Sequence, residues 1–183
     1  MRRKNITTYM MKEYITEALL QLMKKKNFEK LTIEEITDRA GVNRSTYYRN
    51  FKSKEMIVQF YFDNILFKFF EKIKDKKIKD FSSYLKNLLE HYYLERENLL
   101  LIYKQGLSYI FLNELNDNFF KSQKENLISD KEKISLYYHI GGIFNIFLYW
   151  FSTKMEMLPE NLANTSVSFL PDDFKPFLFK MNN

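Results

Sequence analysis

Residues 32–51 read TIEEITDRAGVNRSTYYRNF, a run that contains a helix start, a glycine turn and a second short helix. Thr32 and Glu35 have the spacing of a capping box, which predicts the start of the first helix. Gly41 is expected to end that helix, because glycine readily adopts a positive φ. Asn43 is then placed to cap the second helix. Two helices joined by such a turn predict a helix-turn-helix.

The second helix of this run has one apolar face and one polar face. Tyr47 and Phe51 are four residues apart and are expected to pack inward, which leaves the other side chains to face a DNA major groove. Arg44 is suited to a bidentate contact with guanine, and Lys54 to phosphate near a helix N-terminus. The residues predicted to contact DNA are Thr32, Arg44, Ser45, Thr46, Tyr48, Asn50 and Lys54. The alternative is a set of small packed helices that binds no nucleic acid.

Positive charge is concentrated near the N-terminus of the 183-residue chain, whose formal net charge is +6. Residues 1–54 contain 13 Lys and Arg against six Asp and Glu, whereas the rest contains 16 and 17. A basic module on a nearly neutral body favours a polyanionic partner such as double-stranded DNA. A basic surface that serves solubility would have the same composition.

The composition also excludes several classes of protein and site. Only four Gly and three Pro argue against an all-β fold, and apolar residues recur at helical spacing along most of the chain. The chain has no Cys and two His, which excludes disulfides, Cys-ligated zinc and thiol nucleophiles. No glycine-rich phosphate loop, metal-ligand spacing or catalytic triad is present. We therefore expect a non-enzymatic cytoplasmic protein with no cofactor, metal or catalytic residue.

Residues 31–55 resemble the DNA-binding domain of the TetR family of bacterial transcriptional regulators, and the similarity extends over about residues 9–69. The shared pattern is a Thr, an aromatic pair, a Phe and a Ser-Lys-Glu run, with Asn50 in place of the family's common His. The resemblance implies an all-α homodimer that binds a palindromic operator, usually as a repressor. It places a three-helix DNA-binding domain at 9–69, joined by a long helix to a regulatory and dimerisation domain at 70–183.

Residues 134–153 carry no Asp, Glu, Lys or Arg. This uncharged segment is about as long as a helix that spans a membrane. Polar residues are spread along the segment, so a helix buried in an interface is the favoured interpretation. Gly141 to Ile143 and Pro159 to Leu162 look like the C-terminal domain of a Firmicutes-type TetR subgroup that includes regulators associated with dihydroxyacetone kinase. In a two-fold dimer, the helix at 134–153 and the helix that begins at Pro159 are expected to pack against the same two helices of the second copy. The residues expected at this dimer interface are Ile140, Ile143, Phe144, Phe147, Phe151 and Leu162.

Aromatic residues in the body are candidates for a ligand pocket, namely Tyr92, Tyr103, Phe111, Tyr137 and Trp150. An ordinary helical core would contain the same residue types. Because the helix at 134–153 has no charged residue, an apolar or aromatic effector is favoured over an anionic one. The alternatives are control by a partner protein and activation without a small-molecule ligand.

Overall fold

A computed structural model describes residues 2–76, 78, 80–121 and 129–169. Within these residues the chain forms helices and turns and no strand, which confirms the predicted all-α fold. The helices are α1 (Arg2–Met23), a 3-10 helix (Phe28–Lys30), α2 (Ile33–Ala40), α3 (Arg44–Asn50), α4 (Glu55–Ile73), α5 (Phe81–Leu94), α6 (Arg96–Lys104), α7 (Ser108–Lys121), α8 (Asp130–Ser152) and α9 (Pro159–Val167). The tail beyond residue 169, expected to lack regular helix, lies outside the described residues.

The N-terminal helices form a small domain around α1, which packs against α2, α3 and α4. Helix α1 ends at Met23, and no left-handed cap follows at Asn27, which is extended with φ −61°. The chain instead forms the 3-10 helix, which buries Phe28 to 1% exposure in the core. Burial of this large ring gives the connection between α1 and α2 a fixed path.

Helix α4 joins this domain to the body. It packs against α1 at one side and against α5 and α7 at the other, and its buried residues extend from Ile57 to Ile73. Within the body, α5 packs against α9, and α8 packs against α6 and α7. One continuous cluster of buried side chains therefore includes Tyr47 near the N-terminus and Trp150 in α8. The domain boundary near residue 69 stays a prediction.

Three local sequence signals mark the ends of helices in the body. Gly106, with φ +76°, separates α6 from α7. Ser129 and Glu132 form the capping box that begins α8, with Ser129 N donating to Glu132 Oε2 at 2.7 Å. Pro159 occupies the first turn of α9. No helix in the described ranges is long and apolar enough to cross a membrane, so the membrane interpretation of residues 134–153 is not supported.

Candidate nucleic-acid interface

The start of α2 is fixed by a reciprocal cap. Thr32 Oγ1 accepts from Glu35 N at 3.2 Å, and Glu35 Oε2 accepts from Thr32 N at 2.8 Å. Lys26 Nζ donates to both Glu35 oxygens at 2.7 and 2.9 Å. The hydrogen bonds from Lys26 and from the Thr32 backbone lower the pKa of Glu35 to about 2. Thr32 is exposed, but its hydroxyl also bonds Glu35, so its phosphate contact stays a prediction that competes with this cap.

The turn between α2 and α3 requires its glycine. Gly41 has φ +66° and ψ 32°, a left-handed conformation that costs other residues free energy. Its amide donates to Asp38 O, and Val42 N donates to Thr37 O at 3.0 Å, which satisfies the last carbonyls of α2. Asn43 stands at the predicted cap position of α3, yet its side chain makes no capping hydrogen bond. The sequence therefore predicted the place of the turn correctly but not the role of this side chain.

Helix α3 is anchored by its aromatic face. Tyr47 is fully buried and Phe51 is 2% exposed, with their ring centroids 6.2 Å apart. This burial leaves Arg44, Ser45 and Tyr48 exposed, and Tyr48 has 61% of its surface accessible. A short helix held by one face and polar on the other can enter the major groove of DNA.

Two of the predicted DNA contacts on α3 are only half exposed. Thr46 and Asn50 lie at the edge of the outward face, and Asn50 Nδ2 donates to Thr46 O at 2.7 Å. Asn50 keeps a second amide proton for an external acceptor. Arg49 is exposed as well and lies four residues after Ser45 on the same face. It was left out of the predicted contacts, although helical spacing alone would have included it.

Arg44 is paired within the chain. Its Nη2 lies 2.8 Å from Glu34 Oε2, and both side chains are more than half exposed. An exposed pair of this kind contributes only about 0.2–1 kcal/mol, so a guanine edge can compete for Arg44. The carboxylate of Glu34 also stands beside the groove-facing surface, where it would repel phosphate.

Lys54 lies at the predicted place, at the start of α4, but its ammonium is bound within the chain. Its ammonium donates to the carbonyls of Phe28 at 2.8 Å, Leu31 at 2.9 Å and Glu29 at 3.3 Å, and lies 4.7 Å from the Phe28 ring centroid. These contacts use its three donors, so a phosphate contact would cost carbonyl bonds. The structure assigns Lys54 a role in holding the segment before α2, and its contact with DNA stays a prediction.

The predicted dimer-interface residues must be corrected. Ile140, Phe147, Phe151 and Leu162 are at most 4% exposed and belong to the core of the single chain, whereas Ile143 and Phe144 are half-buried against that core. The outward face of α8 carries other residues. Its exposed apolar members are Ile134, Tyr137, Tyr138 and Tyr149. The sequence could not select the face, because aromatic residues occur around most of this helix.

The predicted pocket residues do not lie together. Tyr92 and Phe111 line a cavity of about 100 Å³ in the body. Trp150 is fully buried elsewhere in the core, where its Nε1 donates to Met157 O at 2.8 Å, and Tyr103 packs against Phe151 at 5.9 Å between centroids. Tyr137 is on the surface with 58% exposure. Three of the five predicted pocket residues, Tyr103, Tyr137 and Trp150, therefore do not line this cavity.

The only carboxyl group among the described residues that line the cavity was not predicted. Glu114 of α7 lines the cavity and is 3% exposed. Helical spacing from Ile110 and Phe111, both buried, would have placed it on the inner face. Its carboxyl group was not considered because acids on helices are usually solvated. Across the part of the chain that is described, no group of three or more His, Asp or Glu is placed to hold a metal ion.

Comparison with known sequences agrees with this geometry. The family "Bacterial regulatory proteins, tetR family" matches residues 15–59, which include the helix-turn-helix. The dhaKLM operon transcriptional activator DhaS of Lactococcus lactis is 25% identical over 146 residues, covering 74% of this chain and 68% of DhaS. The regulator YvkB of Bacillus subtilis is 40% identical over 45 residues, about a quarter of each chain.

Solved structures show the same fold. The dihydroxyacetone kinase operon activator DhaS superposes with a TM-score of 0.50 at 21% identity, covering 93% of this chain and 96% of DhaS. The fatty acid degradation regulator FadR from Bacillus halodurans has a TM-score of 0.51 at 15% identity, with 85% and 91% covered. The family match lies on the helices that present Arg44 and Tyr48, and the relatives extend the likeness into the body. Residues 15–59 therefore match the DNA-binding part of the tetR family of bacterial regulatory proteins, and the chain is similar to transcriptional regulators over most of its length.

Proposed function

We propose that this regulator is a homodimer that binds an inverted-repeat operator in the cytoplasm, and that it has no enzymatic activity. The observation that carries the proposal is the outward face of α3. Arg44, Ser45 and Tyr48 are exposed there, while Tyr47 on the opposite face is fully buried and fixes the helix. Side chains that read base edges must be held in this way by a rigid support.

The outward face of α8 supports dimerisation. Ile134, Tyr138 and Tyr149 are 70%, 77% and 57% exposed and recur at helical spacing, with Gly142 between them. A Cβ added at Gly142 would meet no atom of another described element within 4 Å, so packing among the described helices does not explain the glycine. A second copy of α8 would cover this apolar face, and the glycine would allow close approach of the two helices. A two-fold dimer presents two α3 helices, which fits an inverted repeat.

An effector could act through contacts that join the body to the DNA-binding domain. Gln105, in the turn between α6 and α7, accepts from Phe28 N at 3.0 Å and donates to Met23 O at 3.2 Å. Lys54 holds the same segment from the other side, so a shift of the body would be passed to α2 and α3. We propose that a small effector with an apolar or aromatic body binds in the cavity, displaces the body of the protein and releases a repressor from DNA.

Activation of transcription is the second candidate. The relative DhaS of Lactococcus lactis is named as an operon activator, and the match to it covers most of this chain. In that case the body would contact a partner protein or the effector would strengthen DNA binding. The two candidates share the same DNA contacts and differ in the sign of the response.

Selection of bound DNA from a random pool by the full chain tests the proposal. We expect enrichment of one inverted repeat and a sedimentation mass of two chains. Tyr138→Asp should give monomers and lose the inverted repeat, whereas Leu94→Asp, at a 73% exposed site at the end of α5, should change neither. A pool without enrichment would contradict specific binding, and a monomer bound to a single half-site would contradict the dimer.

A further inference from the structure

The body contains a cavity between α4, α5, α7 and α8 with almost entirely apolar walls. It has a volume of about 100 Å³, and aromatic rings from all four helices line it. Phe62 of α4, Tyr92 of α5, Phe111 of α7 and Phe147 of α8 are each at most 4% exposed. The space is enough for a small apolar group, such as one aromatic ring.

A single carboxyl group interrupts this apolar wall. Glu114 lines the cavity, and only 3% of its surface is exposed. Its Oε1 has no hydrogen-bond partner among the described residues. Its Oε2 lies 3.5 Å from Asn118 Nδ2. A buried polar atom without a partner is unfavourable, so a bound donor on Oε1 would remove that cost.

The surroundings of Glu114 are acidic. Burial, followed by interaction with Asp63 of α4, raises the pKa of Glu114 to about 8. Gln59 of α4 opposes this rise in the pKa, and Asp117 of α7 adds further negative charge. Tyr92 faces it from α5, while α8 and α9 contribute uncharged residues to the cavity. No Lys, Arg or His occurs among the described residues that line the cavity.

This arrangement selects the charge of a ligand. An anionic head group would meet Glu114 and Asp63 without a cation to pair with, which is unfavourable at low dielectric. An ammonium group offers three donors, one for the free Oε1, and gains from the carboxylates and from the faces of nearby rings. A neutral alcohol can satisfy Oε1 but gains no charge interaction.

We propose that the cavity is the effector site and that it binds a small organic cation, with an apolar body against the aromatic walls and an ammonium group on Glu114. The regulatory role of this ligand rests on the proposed function, whereas the binding of a cation in the cavity does not. When the ammonium binds, Glu114 gives its proton to solvent and stays as a carboxylate. Binding should therefore strengthen as the pH rises toward about 8, by up to about tenfold per pH unit.

Three probes with similar apolar bodies test the charge preference, namely 2-phenylethylamine, 2-phenylethanol and phenylacetate. Calorimetric titration of the full chain should show the amine binding at least about tenfold more tightly than the alcohol, and phenylacetate weakest. Titration in two buffers of different ionisation enthalpy should show release of about one proton with the amine. Tighter binding of phenylacetate or equal binding of amine and alcohol would overturn the proposal.

Substitutions separate the charge from the cavity. Glu114→Gln keeps the shape and should weaken the amine by about tenfold or more, abolish proton release and leave 2-phenylethanol unchanged. Asp63→Asn, at an exposed position outside the cavity wall, provides a second variant that should weaken the amine when measured above pH 8, where Glu114 is already ionised and only the attraction by Asp63 is lost. Glu90→Gln, an exposed acid on α5, is the matched control and should change nothing. Amine binding that survives both Glu114→Gln and Asp63→Asn would overturn the assignment.

The DNA readout distinguishes this inference from the proposed function. If the chain selects an inverted repeat but does not bind the amine preferentially, the cation assignment fails and the DNA-binding proposal stands. If the amine binds through Glu114 but DNA affinity does not change, the site stands and its role as the effector site fails.

Discussion

The ammonium of Lys54 ties the segment before α2 to the start of α4. It donates to three backbone carbonyls of residues 28–31 and lies over the Phe28 ring. Lys54 is the N-cap residue of α4, so the contact joins two elements of the DNA-binding domain. The sequence predicted a cation at this place but not its partner, because backbone carbonyls of the 3-10 helix are brought near it only by the tertiary fold.

Lys54→Ala should therefore lower the stability of the chain. Loss of the charge-assisted bonds should reduce the free energy of unfolding by about 1–3 kcal/mol, measured by urea denaturation. Lys52→Ala, at an exposed position two residues earlier, should change it by less than about 0.5 kcal/mol. A Lys54→Ala chain that is as stable as wild type but binds every DNA more weakly would contradict this structural role and support a contact between Lys54 and DNA phosphate.

Glu35 should give the DNA-binding domain a defined acid sensitivity. Hydrogen bonds from Lys26 and Thr32 lower its folded-state pKa from 4.5 to about 2. A carboxyl with a depressed folded-state pKa stabilises the fold above its unfolded pKa and loses this effect as the pH falls toward the folded pKa. The stability difference between wild type and Glu35→Gln should therefore be largest at neutral pH and shrink between pH 4.5 and 2. Urea denaturation at several pH values measures it, and a constant difference would contradict the assigned role.

At the scale of elements, the sequence predicted helix starts better than helix faces. Capping boxes at Thr32 and Ser129 depend on residues three positions apart, so the local sequence contains the whole signal. The face of α8 that meets the core depends on which helices pack against it. Ile140 and Phe147 turn inward and Tyr138 outward, although all three are hydrophobic or aromatic. Glu114 was missed for a different reason, since acidic side chains on helices are usually solvated.

The turn after α8 is held in a conformation that is unfavourable for its residues. Lys154 and Met155 both have φ 55°, and Arg96 donates through Nε and Nη2 to Lys154 O at 2.9 and 2.6 Å. Met155 is fully buried, so the turn is fixed from both sides. A left-handed conformation costs a non-glycine residue about 1–2 kcal/mol.

Lys154→Gly should accordingly raise the thermal midpoint of unfolding, because Lys154 is exposed and glycine tolerates positive φ. We expect a gain of up to about 1 kcal/mol in the free energy of unfolding. Glu17→Gly, at an exposed site within α1, should instead lower the free energy of unfolding by about 1 kcal/mol. A loss of stability in Lys154→Gly would show that the strain is compensated by contacts of the Lys154 side chain.

At the scale of the whole molecule, the two parts of the chain share one core and are joined through α4 and Gln105. The helix-turn-helix was predictable because its caps, glycine and buried aromatics are close in sequence. The cavity and the contacts of Gln105 were not, since they join residues such as Met23 and Gln105 that are 82 positions apart. Only the folded chain brings such groups together.

The most direct test compares binding of the selected inverted repeat with binding of a shuffled sequence at one salt concentration. Fluorescence anisotropy should show the repeat bound at least about 10³-fold more tightly by wild type. Arg44→Ala should cost about 1–3 kcal/mol on the repeat and relax one base position, with a smaller effect on the shuffled DNA. Equal affinity of wild type for both sequences, or unchanged preference in Arg44→Ala, would contradict sequence reading by α3.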